Sequence, residues 1–248
     1  MGVARQSTFY DDHPFDWFDS FPGEERRKVI SPLLLQVIDA LPQNSLTLDI
    51  GCGAGRVLEY LNFRGVRCVG FDRSQNSIKI IVNRRRLLGA VADNLRLPVL
   101  SESADLVITD GVMHHTGDPA RAFVEDCRVV RRGGRLYVSV YRPGGRYEFL
   151  YKVPGSVVRL LLKSTATRWI VHTTALPLYW IAHKLKSGGK VTWIGARNLF
   201  YDYFASPDVA FLSRQQIESM AAVQGMQLVG YDRNPGQNVH CFEFCKKP

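Results

Sequence analysis

Between Phe149 and Tyr201 the chain has no aspartate or glutamate. Eight basic residues fall in that same stretch: Lys152, Arg159, Lys163, Arg168, Lys184, Lys186, Lys190 and Arg197. The formal net charge is +9, so this segment holds all but one of the excess positive charges. Cysteine is also scarce. The five cysteines are an odd number, and Cys52, Cys68 and Cys127 sit in apolar or glycine-rich runs. That excludes the dense, even-numbered disulfide framework of a small secreted domain. Cys241 and Cys245 have no second Cys/His pair at matching spacing, so no metal site is expected. Long apolar runs are missing too. The longest stretch of the basic segment without Lys, Arg, Asp or Glu is Trp169 to His183, which contains His172 and Pro177. It falls short of the ~20 apolar residues that a membrane span needs. The first 20 residues lack the basic-then-apolar pattern of a secretory signal. The expectation is a soluble, cytoplasmic protein. With 46% hydrophobic and 22% charged residues, collagen-like, disordered and coiled-coil classes are excluded.

What is present is an alternation of short apolar runs with helical patterns. Ser31 before Pro32 marks a helix start, followed by an apolar stripe from Val29 to Leu41 that Pro42 stops. Strands are predicted at Leu46–Ile50, Val66–Phe71, Gly89–Ala92, Asp105–Thr109 and Arg135–Tyr141. The helices between them are expected at Arg56–Phe63, at Ser74–Leu88 with Ile78, Ile81, Val82 and Leu88 inward, and after Asp118-Pro119. That last helix should carry Phe123, Cys127 and Val130 inward and stop at Gly133-Gly134. This rhythm implies an α/β fold, a doubly wound, mostly parallel sheet with helices on both faces. Ser213 to Gln216 reads as a capping box and Gly225 as a helix stop. Met226–Tyr231 and Val239–Cys245 are then two strands joined by a short turn around Asp232–Gly236, which forces antiparallel pairing. Residues 1–42 form an N-terminal arm and helix. Residues 43–142 and 207–248 form the core, and the basic, mostly helical insertion occupies 143–206 between strands five and six.

Chemistry concentrates at the ends of the predicted parallel strands. Asp49-Ile-Gly-Cys-Gly-Ala-Gly55 leaves the first strand and enters a helix. Glycines there allow a ligand to approach the backbone, and the helix N-terminus offers free N–H groups. A dinucleotide fingerprint would place its third glycine at position six, where Arg56 stands. Asp49 would repel a pyrophosphate but suits an ammonium group. Asp72, about twenty residues on, ends the second strand where a carboxylate can accept ribose hydroxyls. Asp93 and Asn94 follow the third strand. The fourth runs into Asp110-Gly-Val-Met-His-His115.

Taken in order, Asp49 to Gly55, the Asp72 strand end, Ala92 to Pro98, Asp105 to His115 and Arg128 to Leu136 resemble the class I S-adenosylmethionine-dependent methyltransferases, in their "type 11" small-molecule branch. The resemblance covers about residues 46–141. Arg131-Arg132-Gly133 stands where that family commonly has Lys-Pro-Gly. It implies a seven-stranded Rossmann-like sheet with the last strand antiparallel, and S-adenosylmethionine as cofactor. It also implies roles. Gly51, Gly53 and Gly55 shape the turn around the methionine moiety, and Asp49 lies at its ammonium end. Asp72 binds the ribose, Arg73 covers the adenine, and Asp93 and Asn94 read the adenine. Asp110 sits close to the methionine part and the substrate mouth. A sulfonium donor needs no Lewis acid, so no metal is implied. His114 and His115 are candidates for a base; the alternative is that one fixes the loop and the other packs beneath the cofactor.

The acceptor side is read from residues outside the motifs. The aromatic, acidic arm Phe9 to Phe18 either closes over the site or anchors the chain, with Tyr10 as the closing residue. Tyr141 points into the mouth or the core. Tyr201, with Tyr203 and Phe204, lines a pocket or packs the insertion. The insertion is read as a lid. Its cations, Arg168 and Arg197 among them, would favour an anionic or carboxylate-bearing small molecule methylated on O or N. The same basic, apolar helices also suit a lipid substrate or peripheral contact at a membrane surface. Nucleic acid is disfavoured, because Thr109-Asp-Gly-Val112 replaces the Asn-Pro-Pro-Tyr type motif and no OB or KH signature appears. An inactive cofactor-binding scaffold is opposed by the intact glycines and acids. The sequence leaves the oligomeric state open.

Overall fold

The structure, a computed structural model, describes residues 9–12, 23–189, 191–233 and 238–248. Phe15, Trp17 and Phe18 of the arm, Lys190, and residues 234–236 of the last turn lie outside the described residues.

Strand β1 (Leu46–Ile50) is buried along both faces, the condition of a central parallel strand. It pairs in parallel with β2 (Arg67–Asp72) and β4 (Ala104–Asp110). With β3 (Gly89–Val91), β5 (Val130–Tyr141), β6 (Met226–Asp232) and β7 (Val239–Lys246) it forms one sheet in the order β3-β2-β1-β4-β5-β7-β6. β7 is antiparallel to both of its neighbours. The seven-stranded, mostly parallel fold expected from the sequence is therefore what the chain adopts. Helices α1 (Pro32–Asp39) and α2 (Arg56–Phe63) pack Leu34, Val37, Tyr60 and Leu61 against one face. The opposite face carries α4 (Pro119–Val129) and, after the insertion, α10 (Arg214–Val223), through Phe123, Cys127 and Ile217. The strand order reverses direction between β1 and β4. The loops after β1, β2 and β4 therefore open into one crevice at the carboxyl edge.

Two local expectations are corrected. The Ser74–Leu88 segment is a short helix α3 (Gln75–Lys79) followed by a π turn over Ile80–Arg84. The wider turn shifts the helical phase. Ile78, Ile81 and Leu87 are buried, while Val82 and Leu88 face solvent. Helix α4 ends at Val129, and Gly133-Gly134 lie inside β5, not at a helix stop. There β5 bulges against β4 between the pairs Ala104–Val130 and Leu106–Arg135. A Cβ on Gly134 would stand 3.0 Å from the Asp105 carbonyl.

Among its described residues the insertion holds five α-helices, α5 (Arg146–Lys152), α6 (Pro154–Lys163), α7 (Thr165–Ile170), α8 (Leu176–Lys186) and α9 (Trp193–Ala205), with a π turn over Val171–Ala175 between α7 and α8. They share a small core of Val171, Leu176 and Phe200, with Tyr179 and Phe204 against it. Among the described residues no helix is long and apolar enough to cross a membrane.

The N-terminal cap of α1 also ties that helix to the sheet. Ser31 Oγ accepts from Leu34 N at 3.1 Å and lies 2.7 Å from the buried Tyr137 hydroxyl. Ser31→Ala removes both contacts. Urea denaturation is expected to show a loss of about 2 kcal/mol; Ser31→Thr, which keeps the hydroxyl, should lose less.

Candidate functional site

The turn after β1 can approach its neighbours closely because of one glycine. Gly51 has φ +68°, and a Cβ there would meet the Val112 side chain at 2.3 Å. The β1 and β4 loops therefore touch across the crevice. Gly51 N and Cys52 N both donate to Phe71 O, at 2.7 and 3.0 Å, binding the turn to β2. Gly55, at φ +92°, is the N-cap of α2. The Asp72 carboxylate joins the next two elements. Its Oδ2 accepts from Gly53 N and its Oδ1 from Ser74 N, both at 2.8 Å.

These loops wall a cavity of about 660 Å3. Asp49, Gly51, Gly53, Asp72, Arg73 and Asn94 line one end of it. Asp110 also lines it, and its carboxylate accepts from Ser139 Oγ at 2.6 Å and pairs with Arg56. Asp49 is buried with Oδ2 unpartnered. Burial first, then the nearby Asp110, pushes its carboxyl up to about 8, against the pull of Arg56. Burial likewise raises Asp72 above the usual carboxylate range, against the amides of Ser74 and Gly53. The Asn94 side-chain amide is buried with both its nitrogen and its oxygen unpartnered.

The other end of the cavity is aromatic and is lined by Tyr10, Tyr141, His115, Leu199, Asp202 and Tyr203. Tyr10 comes from a helical turn over residues 9–12. Asp11 docks that turn onto α3. Its Oδ1 accepts from Ser74 Oγ at 2.7 Å and Asn76 N at 3.1 Å. His115 Nδ1 lies 3.1 Å from Asp208 O. A carbonyl only accepts, so Nδ1 carries the hydrogen in the neutral ring and Nε2 keeps the lone pair. Nε2 is 4.0 Å from Asp202 Oδ1. Burial lowers the basicity of His115, partly offset by Asp202. Burial also raises Asp202, and the Tyr141 hydroxyl donates to its Oδ2 at 3.4 Å.

Several expected site residues lie elsewhere. His114 is buried, its ring 4.0 Å from that of Tyr141, with both nitrogens unpartnered. Burial, then the neighbouring His115, lowers its basicity, and it does not line the cavity, so the geometry favours His115 over it as the base. Gly55 shapes the turn without lining the cavity, and Asp93 is turned to Leu95 N at 3.0 Å, leaving Asn94 at the wall. Tyr201 does not line the cavity; its hydroxyl meets His172 Nε2 at 2.7 Å. Arg197, one helical turn earlier, sits over the Tyr201 ring, and Arg168 reaches Leu162 O at 3.4 Å on the outside of the insertion. The two arginines named as anion-binding residues are therefore on the wrong side of α7 and α9. Asp202 and Arg56 were missed. Helical spacing could have found the first, because Leu199, Asp202 and Tyr203 share one face of α9.

Residues 48–138 match the family model described as a methyltransferase domain. Among curated proteins, the chain is similar to the mouse tRNA (carboxymethyluridine(34)-5-O)-methyltransferase ALKBH8, 35% identical over 47% of this chain and 18% of that protein. It is also similar to a ubiquinone biosynthesis O-methyltransferase of Hahella chejuensis, 28% identical over 63% of this chain and 69% of that one. The chain thus spans under a fifth of the length of the mouse relative. Among solved structures, a SAM-dependent methyltransferase from Methanosarcina mazei superposes with a TM-score of 0.57 over 88% of this chain and 98% of that one, at 13% identity. That likeness shows the fold.

S-adenosylmethionine, the cofactor of this family, fits the residues present. A cationic ligand would answer the unpartnered Asp49, and an adenine edge would answer both atoms of the Asn94 amide, at a wall that the Gly51 turn also lines. Asp72 has a second task that the sequence does not reveal, since it also braces the two loops. Asp72→Ala is expected to weaken cofactor binding by about 3 kcal/mol, roughly a hundredfold, in calorimetry. A raised Asp49 carboxyl is protonated below about 8 without ligand, whereas a cation favours the carboxylate. Cofactor affinity should therefore climb from pH 6 to pH 8 with proton release. Asp49→Asn should bind more weakly and lose that slope when titrated in buffers of different ionisation enthalpy.

Proposed function

We propose that the protein is an S-adenosylmethionine-dependent methyltransferase, a reading supported by the match of residues 48–138 to the methyltransferase-domain model, and that it methylates an oxygen or nitrogen of a small, aromatic, uncharged acceptor. One observation carries the reading: a single cavity joins the glycine turn to a pocket of Tyr10, Tyr141, Tyr203 and the His115–Asp202 pair. When bound, the cofactor supplies an activated methyl group on a sulfonium. The chain's own residues do the rest. Tyr10 and Tyr141 give flat apolar walls, and the turn that carries Tyr10 covers the cavity and excludes water. His115 Nε2 takes the proton of an acceptor hydroxyl. Its Nδ1–H is fixed by Asp208 O, and Asp202 stabilises the imidazolium that forms.

An anionic acceptor is not favoured. The acceptor end holds a buried carboxylate, Asp202, while Arg168 and Arg197 lie outside it. A carboxylate there would meet the like charge of Asp202, while the cations that line the cavity, Lys28, Arg56 and Arg73, are paired with Glu25, Asp110 and Asp93. The relative named for ubiquinone biosynthesis methylates oxygen, which supports an O-acceptor. The relatives named for tRNA supply the second reading, a nucleoside of tRNA. An assay with total tRNA beside a panel of phenols, amines and carboxylates separates the two.

His115→Ala should lower kcat by 10²–10³-fold with cofactor affinity unchanged, a loss of the size expected for a proton acceptor. His115 must be neutral to act, and its basicity is lowered. The wild-type rate should therefore hold through neutral pH and fall only below the usual imidazole range, and the variant should lose that acid limb. Asp202→Asn should reduce kcat less and leave the limb in place. Among acceptors, neutral phenols should surpass the matching carboxylates. If carboxylates prove best, or the His115→Ala profile keeps its limb, the acceptor assignment is wrong.

A further inference from the structure

We propose that the outer face of the helical insertion is a docking surface for a lipid bilayer with anionic headgroups. The insertion has two apolar sides. One is buried on Val171, Leu176 and Phe200. The other is in water. Of the 19 large apolar side chains exposed on the described residues, 11 fall between Phe149 and Ile194. They recur at helical spacing, at Val153, Val157 and Leu160 along α6 and at Leu178, Ile181 and Leu185 along α8. Leu160 is 65% exposed, Leu178 67% and Leu185 78%. Exposed tryptophans flank them, Trp169 at 60% and Trp193 at 40%. Exposed apolar rows of this kind mark a binding face, and tryptophan suits the boundary between headgroup and acyl chain.

Charge identifies the occupant. Arg159 is turned inward to Phe204 O and Tyr151 O, and Lys152 is paired with Glu148. Lys163, Arg168, Lys184 and Lys186 are exposed beside the apolar residues, and no acidic residue lies between Phe149 and Tyr201. A second copy of the chain would bring this cationic face against itself in a two-fold contact, cation to cation. RNA would take the cations through its phosphates but leave the leucines in water. An anionic bilayer takes both, with leucine and tryptophan in the interface and lysine and arginine at the headgroups.

The test is sedimentation of the whole chain with sucrose-loaded vesicles, either of phosphatidylcholine alone or of phosphatidylcholine with phosphatidylglycerol. Binding is expected only to the mixed vesicles, and salt should weaken it. Leu178→Asp with Leu185→Asp should reduce partitioning at least tenfold. Lys184→Gln with Lys186→Gln should reduce it about fivefold per charge removed. Both pairs are on the surface, and unchanged melting and cofactor binding confirm that each variant folds. The proposal is overturned by any of four results: no binding to the mixed vesicles, equal binding to neutral ones, binding that survives both variants, or a dimer in ultracentrifugation that the leucine variants dissolve. Capture of tRNA by this face without vesicle binding would overturn it as well.

Discussion

The site depends on one carboxylate. Asp72 accepts from Gly53 N in the turn after β1 and from Ser74 N at the start of α3. Ser74 in turn donates its hydroxyl to Asp11, which carries the turn bearing Tyr10. The cofactor end and the aromatic end of the cavity are thus linked through a short chain of hydrogen bonds. Burial raises the Asp72 carboxyl and the two amides oppose that rise. Amide donors are what make a buried carboxylate tolerable there. Loss of Asp72 would remove the bond from the turn after β1 and the bond from the start of α3 together.

Among the described residues, four carboxylates line the cavity beside three cations, Lys28, Arg56 and Arg73. Asp49, Asp72, Asp110 and Asp202 all line it. Arg56 answers Asp110, and the Asp49 carboxyl stays near 8. Burying several carboxylates in one crevice is unfavourable unless cations or protons compensate. A sulfonium ligand with an ammonium group is a natural partner for such a crevice.

Most of the scaffold was legible in the sequence because it rests on local rules. The apolar runs of β1 to β5, the Ser31 and Ser213 caps and the short β6–β7 turn each follow from periodicity or turn length. The Asp49, Asp72 and Asn94 positions followed from their places after parallel strands. The misses were of another kind. The π turn at Ile80–Arg84 and the bulge at Gly133-Gly134 come from packing that no local pattern announces. His114 and His115 are adjacent and chemically identical. Only the sheet decides that one ring is buried against Tyr141 while the other reaches Asp208 O and Asp202. Arg197 and Tyr201 were assigned to the site by charge and composition, whereas helical phase turns them away and brings Leu199, Asp202 and Tyr203 in.

That phase argument explains how the insertion can serve two surfaces. A helix presents different residues every 100°, so one segment can offer a carboxylate inward and cations outward without conflict. On α9, Asp202 faces the cavity while Arg197 and Tyr201 face away. The net charge of the segment therefore says nothing about the polarity of the pocket beneath it. It is a property of the outer face, alongside the exposed leucines and tryptophans. The core fold sets where the methyl donor sits, and it is shared with proteins of many activities. The insertion adds Leu199, Asp202 and Tyr203 to the cavity wall, while the core and the N-terminal turn add His115, Tyr141 and Tyr10. On the proposed reading, the acceptor gives up its proton to His115, beside Asp202.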